Sequence, residues 1–223
     1  KKIMFICSGN TCRSPLAEGL FKKHLEENNI TDIEVGSAGL SVFPGDEVSI
    51  NSALVAMQRG VNISLHRARR LNPQHLAEAD LFVCMTETHA NALYRYCDSS
   101  KIMVLNVPDP YGRAIDVYEE CAKSIEKEFP RILKRLREMP TISKMSERDI
   151  SEIADIEEMC FSEPWSENSL KEELTNDTAR FYVLRDNENL LGYIGANNIC
   201  DEVYITNVAV NENARGKGYG KML

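Results

Sequence analysis

The sequence predicts two units: a doubly wound α/β sheet of four parallel strands over residues 1–140, then a smaller α+β unit over residues 141–223. Three observations carry that expectation. Strand and helix signals alternate through the first 140 residues, which implies a parallel sheet with right-handed crossovers. The run Leu81-Phe-Val-Cys-Met85 is continuously apolar, as a strand covered on both faces must be. Beyond residue 175, three strand signals follow one another with no helix between them, which implies antiparallel pairing. Charge divides at the same place. Residues 1–140 carry 18 Lys and Arg against 18 Asp and Glu, and residues 141–223 carry 8 against 16, the whole of the net −8.

Lys2–Ile6 is a short apolar strand. Pro15–Asn28 follows as an amphipathic helix with Leu16, Leu20 and Leu25 inward, and proline in its first turn is well tolerated. Ile33–Val35 reads as a strand running on to Ser37-Ala38-Gly39. Glu47–Arg59 is helical, with Gly60 suited to cap it. The third strand is Asp80–Met85, the next helix Glu87–Tyr96 and the fourth strand Lys101–Leu105. A long helix over Ile115–Leu136 bends near Pro130. In such sheets ligands bind beyond the C-terminal strand ends, where Cys7 and the Pro108-Asp109-Pro110 turn both fall. In the second unit Asp149–Cys160 and Ser166–Thr175 are helical, and Arg180–Leu184, Leu190–Asn197 and Glu202–Val210 are strands.

Composition narrows the function. The 223 residues are 43 % hydrophobic and 27 % charged, with no apolar run near the ~20 residues of a membrane span and no signal-peptide pattern. Neither unit has a basic patch, so neither nucleic acid nor membrane is an expected partner. The seven cysteines are odd in number and scattered, as expected of reduced thiols in the cytoplasm. No Cys/His set has zinc spacing, so no metal is expected.

The chemistry concentrates in Cys7-Ser-Gly-Asn-Thr-Cys-Arg-Ser-Pro15, a loop between a strand and a helix start. Backbone N–H groups of such a loop converge on one point, and the helix dipole adds positive potential there. Arg13 can grip two phosphate oxygens with its planar fork. The same field stabilises a thiolate, which makes Cys7 the candidate nucleophile, and Ser14 can donate to it. Ser8, Gly9, Asn10, Thr11 and Cys12 complete a phosphate-binding loop. Gly9 allows close backbone approach and Asn10 suits a left-handed turn. The competing reading makes Cys7 a buried apolar residue and Arg13 a solvated charge, but the preceding strand, the proline-led helix and the Ser-Gly-Asn turn together disfavour it.

CSGNTCRSP, with Asp109-Pro-Tyr-Gly112 a hundred residues on, resembles the low-molecular-weight protein tyrosine phosphatases over about residues 2–138. The resemblance implies that fold and a cofactor-free reaction on a phosphorylated protein. Cys7 would form a phosphocysteine, Arg13 would stabilise the transition state, and Asp109 would act as general acid and then base. It also implies that Ser14, Ser37 and His66 hold Asn10 without touching substrate, and that Cys12 guards Cys7 through a reversible disulfide.

Two positions depart from the tyrosine-specific pattern. Thr11 stands where an apolar residue is usual, and Gly112 follows Tyr111 where a second aromatic is typical. Both departures are similar to the bacterial protein arginine phosphatases. A guanidinium is planar, cationic and donor-rich, so a hydroxyl and carboxylates, Asp109 and Asp116, suit it. Phosphoarginine is therefore the expected substrate, with Thr11 and Tyr111 setting specificity, and phosphotyrosine is the alternative. Arsenate reduction on the same fold would need two further cysteines on a mobile segment, which Cys84 and Cys97 do not supply.

Ile142–Leu223 resembles the N-terminal half of a GNAT acetyltransferase, closest to those acting on ribosomal-protein alanines. Cys160-Phe-Ser-Glu-Pro-Trp165, Tyr204-Ile-Thr-Asn-Val208 and Arg215-Gly-Lys-Gly-Tyr-Gly220 carry it. The resemblance implies acetyl-CoA binding by Val208, Ala209 and Val210 along the strand and by Arg215, Gly216, Lys217, Gly218, Tyr219 and Gly220 around the pyrophosphate. A ribosomal protein is then a possible partner. Further strands and helices with a catalytic glutamate and tyrosine would follow Leu223. The chain is thus expected to be part of a longer fusion, without acetyltransferase activity as it stands and with an exposed edge at Glu202–Val210.

Overall fold

The computed structural model describes residues 1–187 and 189–223. The chain divides into two compact units, Lys1–Leu136 and Arg137–Leu223.

In the first unit, β1 (Lys2–Cys7), β2 (Glu34–Gly39), β3 (Leu81–Cys84) and β4 (Ile102–Val104) form one sheet in the order β2-β1-β3-β4. All three pairings are parallel. The helices are α1 (Arg13–Glu27), α2 (Ile50–Gln58), α3 (Pro73–Glu78), α4 (Glu87–Leu93), α5 (Ile115–Lys127) and α6 (Phe129–Glu138). Alternate residues of β1 serve opposite faces, as strand geometry requires. Met4 and Ile6 join Phe82, Cys84, Ala90 and Leu93 in one apolar cluster. On the other face Phe5 meets Phe21 of α1 edge-on at 5.7 Å, and Phe21 meets Phe129 at 5.0 Å. Each such fully buried side chain contributes about 1.5–3 kcal/mol. The order reverses direction between β1 and β3, and β1 ends there on Cys7, at the point where doubly wound sheets open a crevice.

Several boundaries differ from expectation, and three of them have a clear local cause or consequence. The helix expected from Glu47 begins at Ile50, because the Ser49 hydroxyl accepts from the Ser52 amide and Glu47 bridges to Arg67 instead. The long helix expected over 115–136 is two helices that break at Glu128, two residues before Pro130. Helix α1 starts two residues before Pro15, at Arg13, which draws the arginine into its first turn.

The second unit has an antiparallel sheet of β5 (Thr141–Lys144), β6 (Ala179–Asp186), β7 (Asn189–Ile199) and β8 (Glu202–Val210), in sequential order. Helices α7 (Ile150–Cys160) and α8 (Glu167–Thr175) precede β6, and the four-residue α9 (Tyr219–Met222) follows β8. Ile150, Ile153, Ile156 and Leu170 pack on Phe181, Val183 and Tyr193. Inside this core Glu157, fully buried, accepts from the Tyr193 hydroxyl, from Asn207 Nδ2 at 2.9 Å and from the Trp165 amide at 2.8 Å. Strand β8 lies at a sheet edge, with Val203 and Ile205 largely exposed. Among the described residues no helix is long and apolar enough to cross a membrane.

Candidate active site

The loop from Ser8 to Cys12 joins the end of β1 to the start of α1. Cys12 caps α1 without a side-chain bond to the helix. The hydrogen bonds of the described residues use none of the main-chain N–H groups of Ser8, Gly9, Thr11 or Cys12. These free donors sit at a helix N-terminus, an arrangement that binds anions.

Cys7, 3 % exposed, lies at the floor. Its Sγ is 2.9 Å from the Ser14 hydroxyl and accepts from the Asn10 amide at 3.2 Å. Asn10 has φ 55°, the left-handed conformation expected for it. Its Nδ2 donates to Ser14 Oγ at 2.8 Å and to Ser37 Oγ at 2.9 Å. Its Oδ1 lies 3.1 Å from His66 Nε2 and accepts from the Arg69 amide at 2.8 Å. Because Ser14 Oγ accepts from Asn10, its own proton is directed at the Cys7 sulfur. Ser37 in turn donates to Glu18 at 2.6 Å. Burial works to raise the Glu18 pKa, but bonds from Lys22 and Ser37, with Arg69 nearby, bring it below the usual carboxylate range. Burial also pushes His66 down, so the ring that supports Asn10 is neutral near pH 7.

Arg13, only 4 % exposed, donates through Nη1 to the Val107 carbonyl at 3.2 Å and through Nη2 to Asp109 Oδ2 at 2.5 Å. Its Nε is buried without a partner. Asp109 also accepts from the Tyr111 amide at 3.1 Å, and Gly112 turns the chain at φ 72°. A cleft of about 300 Å³ is lined by Cys7, Ser8, Gly9, Thr11, Cys12 and Arg13 together with Ser41, Asp109 and Tyr111. Asn10 and Ser14 are fully buried behind the loop, supporting it rather than lining the cleft. Asp116, in the exposed first turn of α5, is not part of the lining. A Cβ at Gly9 would meet only Thr11 Oγ1 at 3.5 Å, so the space it leaves is on the ligand side. The demand for close packing falls instead on Gly39, where a Cβ would come within 2.5 Å of the Ser8 carbonyl and 2.9 Å of the Asn10 amide.

All cysteines are free thiols, and Cys12 Sγ lies 3.7 Å from the Tyr118 hydroxyl. Burial pushes Cys84 up to about 12 and also raises Cys97. Such thiols are poor nucleophiles, against a disulfide relay through them.

The family model for low molecular weight phosphotyrosine protein phosphatase matches residues 2–141. The chain belongs to that family. As a low-molecular-weight phosphatase it is an enzyme with phosphatase activity. A protein-arginine-phosphatase from Geobacillus stearothermophilus is 29 % identical over 147 residues, covering 61 % of this chain and 96 % of that protein. The low molecular weight protein-tyrosine-phosphatase PtpB of Staphylococcus epidermidis is 33 % identical over 135 residues, covering 56 % and 91 %. The solved low molecular weight protein tyrosine phosphatase of T. tengcongensis superimposes with a TM-score of 0.57 at 32 % identity, covering 60 % of this chain and 98 % of that one. The model of the acetyltransferase (GNAT) family matches residues 150–223, so a phosphatase is fused here to a GNAT-type region.

In that region Val208 is 42 % exposed beside buried Ala209, and Arg215 donates through Nε to the Val210 carbonyl at 3.1 Å. Gly216 and Gly218 have φ of 79° and 81°, and a Cβ on either would meet nothing within 4 Å. Lys217 is exposed, and Tyr219 and Gly220 open α9.

Proposed function

We propose that the phosphatase unit hydrolyses phosphoarginine in proteins through a phosphocysteine intermediate. The observation that carries this reading is Thr11. Thr11 lines the same cleft as Cys7 and Asp109, with its hydroxyl 3.8 Å from Cys12 Sγ, and the turn after Tyr111 is a glycine, not a second ring. A guanidinium entering that cleft meets a hydroxyl and a carboxylate.

Cys7 Sγ attacks phosphorus in line as the N–P bond breaks, and Asp109 delivers a proton to the departing guanidine nitrogen. Asp109 then takes a proton from water, whose oxygen displaces the thiolate and releases phosphate. The phosphoryl oxygens are held by the loop amides and by Arg13, whose unpaired Nε supplies one donor and whose Nη2 turns from Asp109 to the substrate. The Ser14 hydroxyl stabilises the thiolate as attacker and as leaving group. After oxidation by peroxide, Cys7 as a sulfenic acid condenses with the Cys12 thiol, losing water to give a disulfide.

Turnover of phosphoarginine and phosphotyrosine peptides measured side by side tests the reading. Phosphoarginine is expected to be preferred, and Thr11→Ile to lose about tenfold in kcat/KM on it alone, the size of one hydrogen bond. Faster turnover of phosphotyrosine, unaffected by Thr11→Ile, overturns it. The tyrosine reading itself draws support from the Tyr111 ring, 75 % exposed at the cleft rim, where it can stack on a phenol.

For the GNAT-type region, the open left-handed glycines and the edge strand fit an acetyl-CoA pyrophosphate and pantetheine arm, with Arg215 and Lys217 supplying charge. Bound acetyl-CoA would supply the acetyl group, for an N-terminal amine such as that of a ribosomal protein. Calorimetric titration of the chain with acetyl-CoA tests this, and the absence of binding contradicts it.

A further inference from the structure

We propose that His89 is a positioning residue for phosphoryl transfer: it holds the Ser8 hydroxyl of the phosphate loop with the serine proton turned into the cleft. The inference rests on the reading of Cys7 as the nucleophile, but not on which phosphorylated residue is the substrate.

His89 lies in the first turn of α4 and is only 5 % exposed. Both ring nitrogens are engaged. Nδ1 is 3.0 Å from Thr86 Oγ1, and Nε2 is 3.0 Å from Ser8 Oγ. Its contact with Ser8 places it against the cleft, and the charges of Arg13 from α1 and Asp109 from the segment after β4 both act on the ring. Burial and the Arg13 charge push His89 down, so the ring is neutral near pH 7 and carries a single N–H. Thr86 precedes α4, and its hydroxyl makes no capping bond to the helix. Nδ1 is the one side-chain partner of that hydroxyl among the described residues, and in the proposed arrangement the threonine proton lies on this bond, which leaves Nε2–H to donate to Ser8 Oγ.

Ser8 is exposed, but its backbone is held. Its carbonyl accepts from the Ser41 amide at 3.0 Å, against Gly39, and its side chain lines the cleft next to Cys7. With its oxygen accepting from His89, its own proton has one useful direction, toward a phosphoryl oxygen held by the loop. Ser8 thus adds a side-chain donor to the ring of amides, and Thr86 and His89 fix its orientation before substrate arrives.

The direct observation is the tautomer of His89, read from its ring ¹⁵N shifts in the full chain at neutral pH. A proton on Nε2 is expected, and a proton on Nδ1 alone overturns the proposal. Kinetics with a small aryl phosphate give a second readout. Ser8→Ala and His89→Ala are each expected to lower kcat about tenfold with KM little changed, the size of one hydrogen bond. The double variant should be no worse than Ser8→Ala, and His89→Gln, which returns an N–H near the Nε2 position, should recover most of the loss. Additive losses, or full activity in Ser8→Ala, overturn the proposal. Turnover surviving in Cys7→Ser would instead refute the nucleophile reading on which it stands.

Discussion

The two carboxylate oxygens of Asp109 are both committed, one to the Arg13 guanidinium and one to the Tyr111 amide. In the proposed mechanism, proton delivery by this residue therefore depends on substrate drawing Arg13 away. Asp109→Asn should lower kcat by about 10²–10⁴-fold on a phosphoarginine peptide, where the departing nitrogen needs a proton. It should cost far less on an aryl phosphate whose phenolate leaves unaided. Equal losses on both substrates, measured by phosphate release, would place Asp109 in binding rather than in acid catalysis. At this scale the sequence exposed the residues proposed to bind phosphate and the three that brace Asn10, but not the rest of the support. Cys7, Arg13, Ser14, Ser37 and His66 stood in recognisable motifs. Glu18, only 9 % exposed between the inward leucines of α1, breaks no helical pattern and gave no signal. Ser41, Tyr118 and the Val107 carbonyl act through tertiary approach alone. For His89 a sequence signal existed, a threonine three residues ahead of a histidine at a helix start.

Among the elements, β2 is as much a part of the site as the loop itself. It carries Ser37 to Asn10, and it ends on Gly39, which lets the Ser8 carbonyl and the Asn10 amide pass. Gly39→Ala should cost at least about tenfold in kcat with helix content unchanged by circular dichroism, because a Cβ there collides with backbone that cannot yield. Unchanged activity would show that the loop is not held where the structure has it. Strands β1 and β3 were legible because burial on both faces writes continuous apolar runs, and α1 was legible from its inward leucines, although Arg13–Phe21 proves buried all round rather than on one face. Helix α3 was not: its six residues bury no side chain, so only Asn72-Pro73 marked its start. Strand β5 was missed for the same reason, since all four of its residues are exposed and no alternation shows. Its place is set by backbone pairing with β6.

Across the whole molecule, three histidines respond to acid together. Burial pushes His66, His75 and His89 below the ordinary 6.5, so the unfolded chain binds protons that the folded chain refuses. The stability they contribute is complete above pH 6.5 and is lost as the pH falls through their depressed folded values. Glu18 and Asp149, both lowered by their partners, add a further loss below their ordinary values of 4.5 and 3.8. The thermal midpoint of the full chain should therefore fall between pH 6.5 and 5 in circular dichroism melts, and a midpoint that rises toward pH 5 would contradict this. The most direct measurement is the mass of peptides from the chain quenched in acid seconds after mixing with a phosphoarginine peptide. One phosphoryl group on Cys7, none on Cys12, and no label in Cys7→Ser are expected. A phosphoryl group on any other residue, or turnover of phosphoarginine without label at Cys7, would contradict the phosphocysteine mechanism.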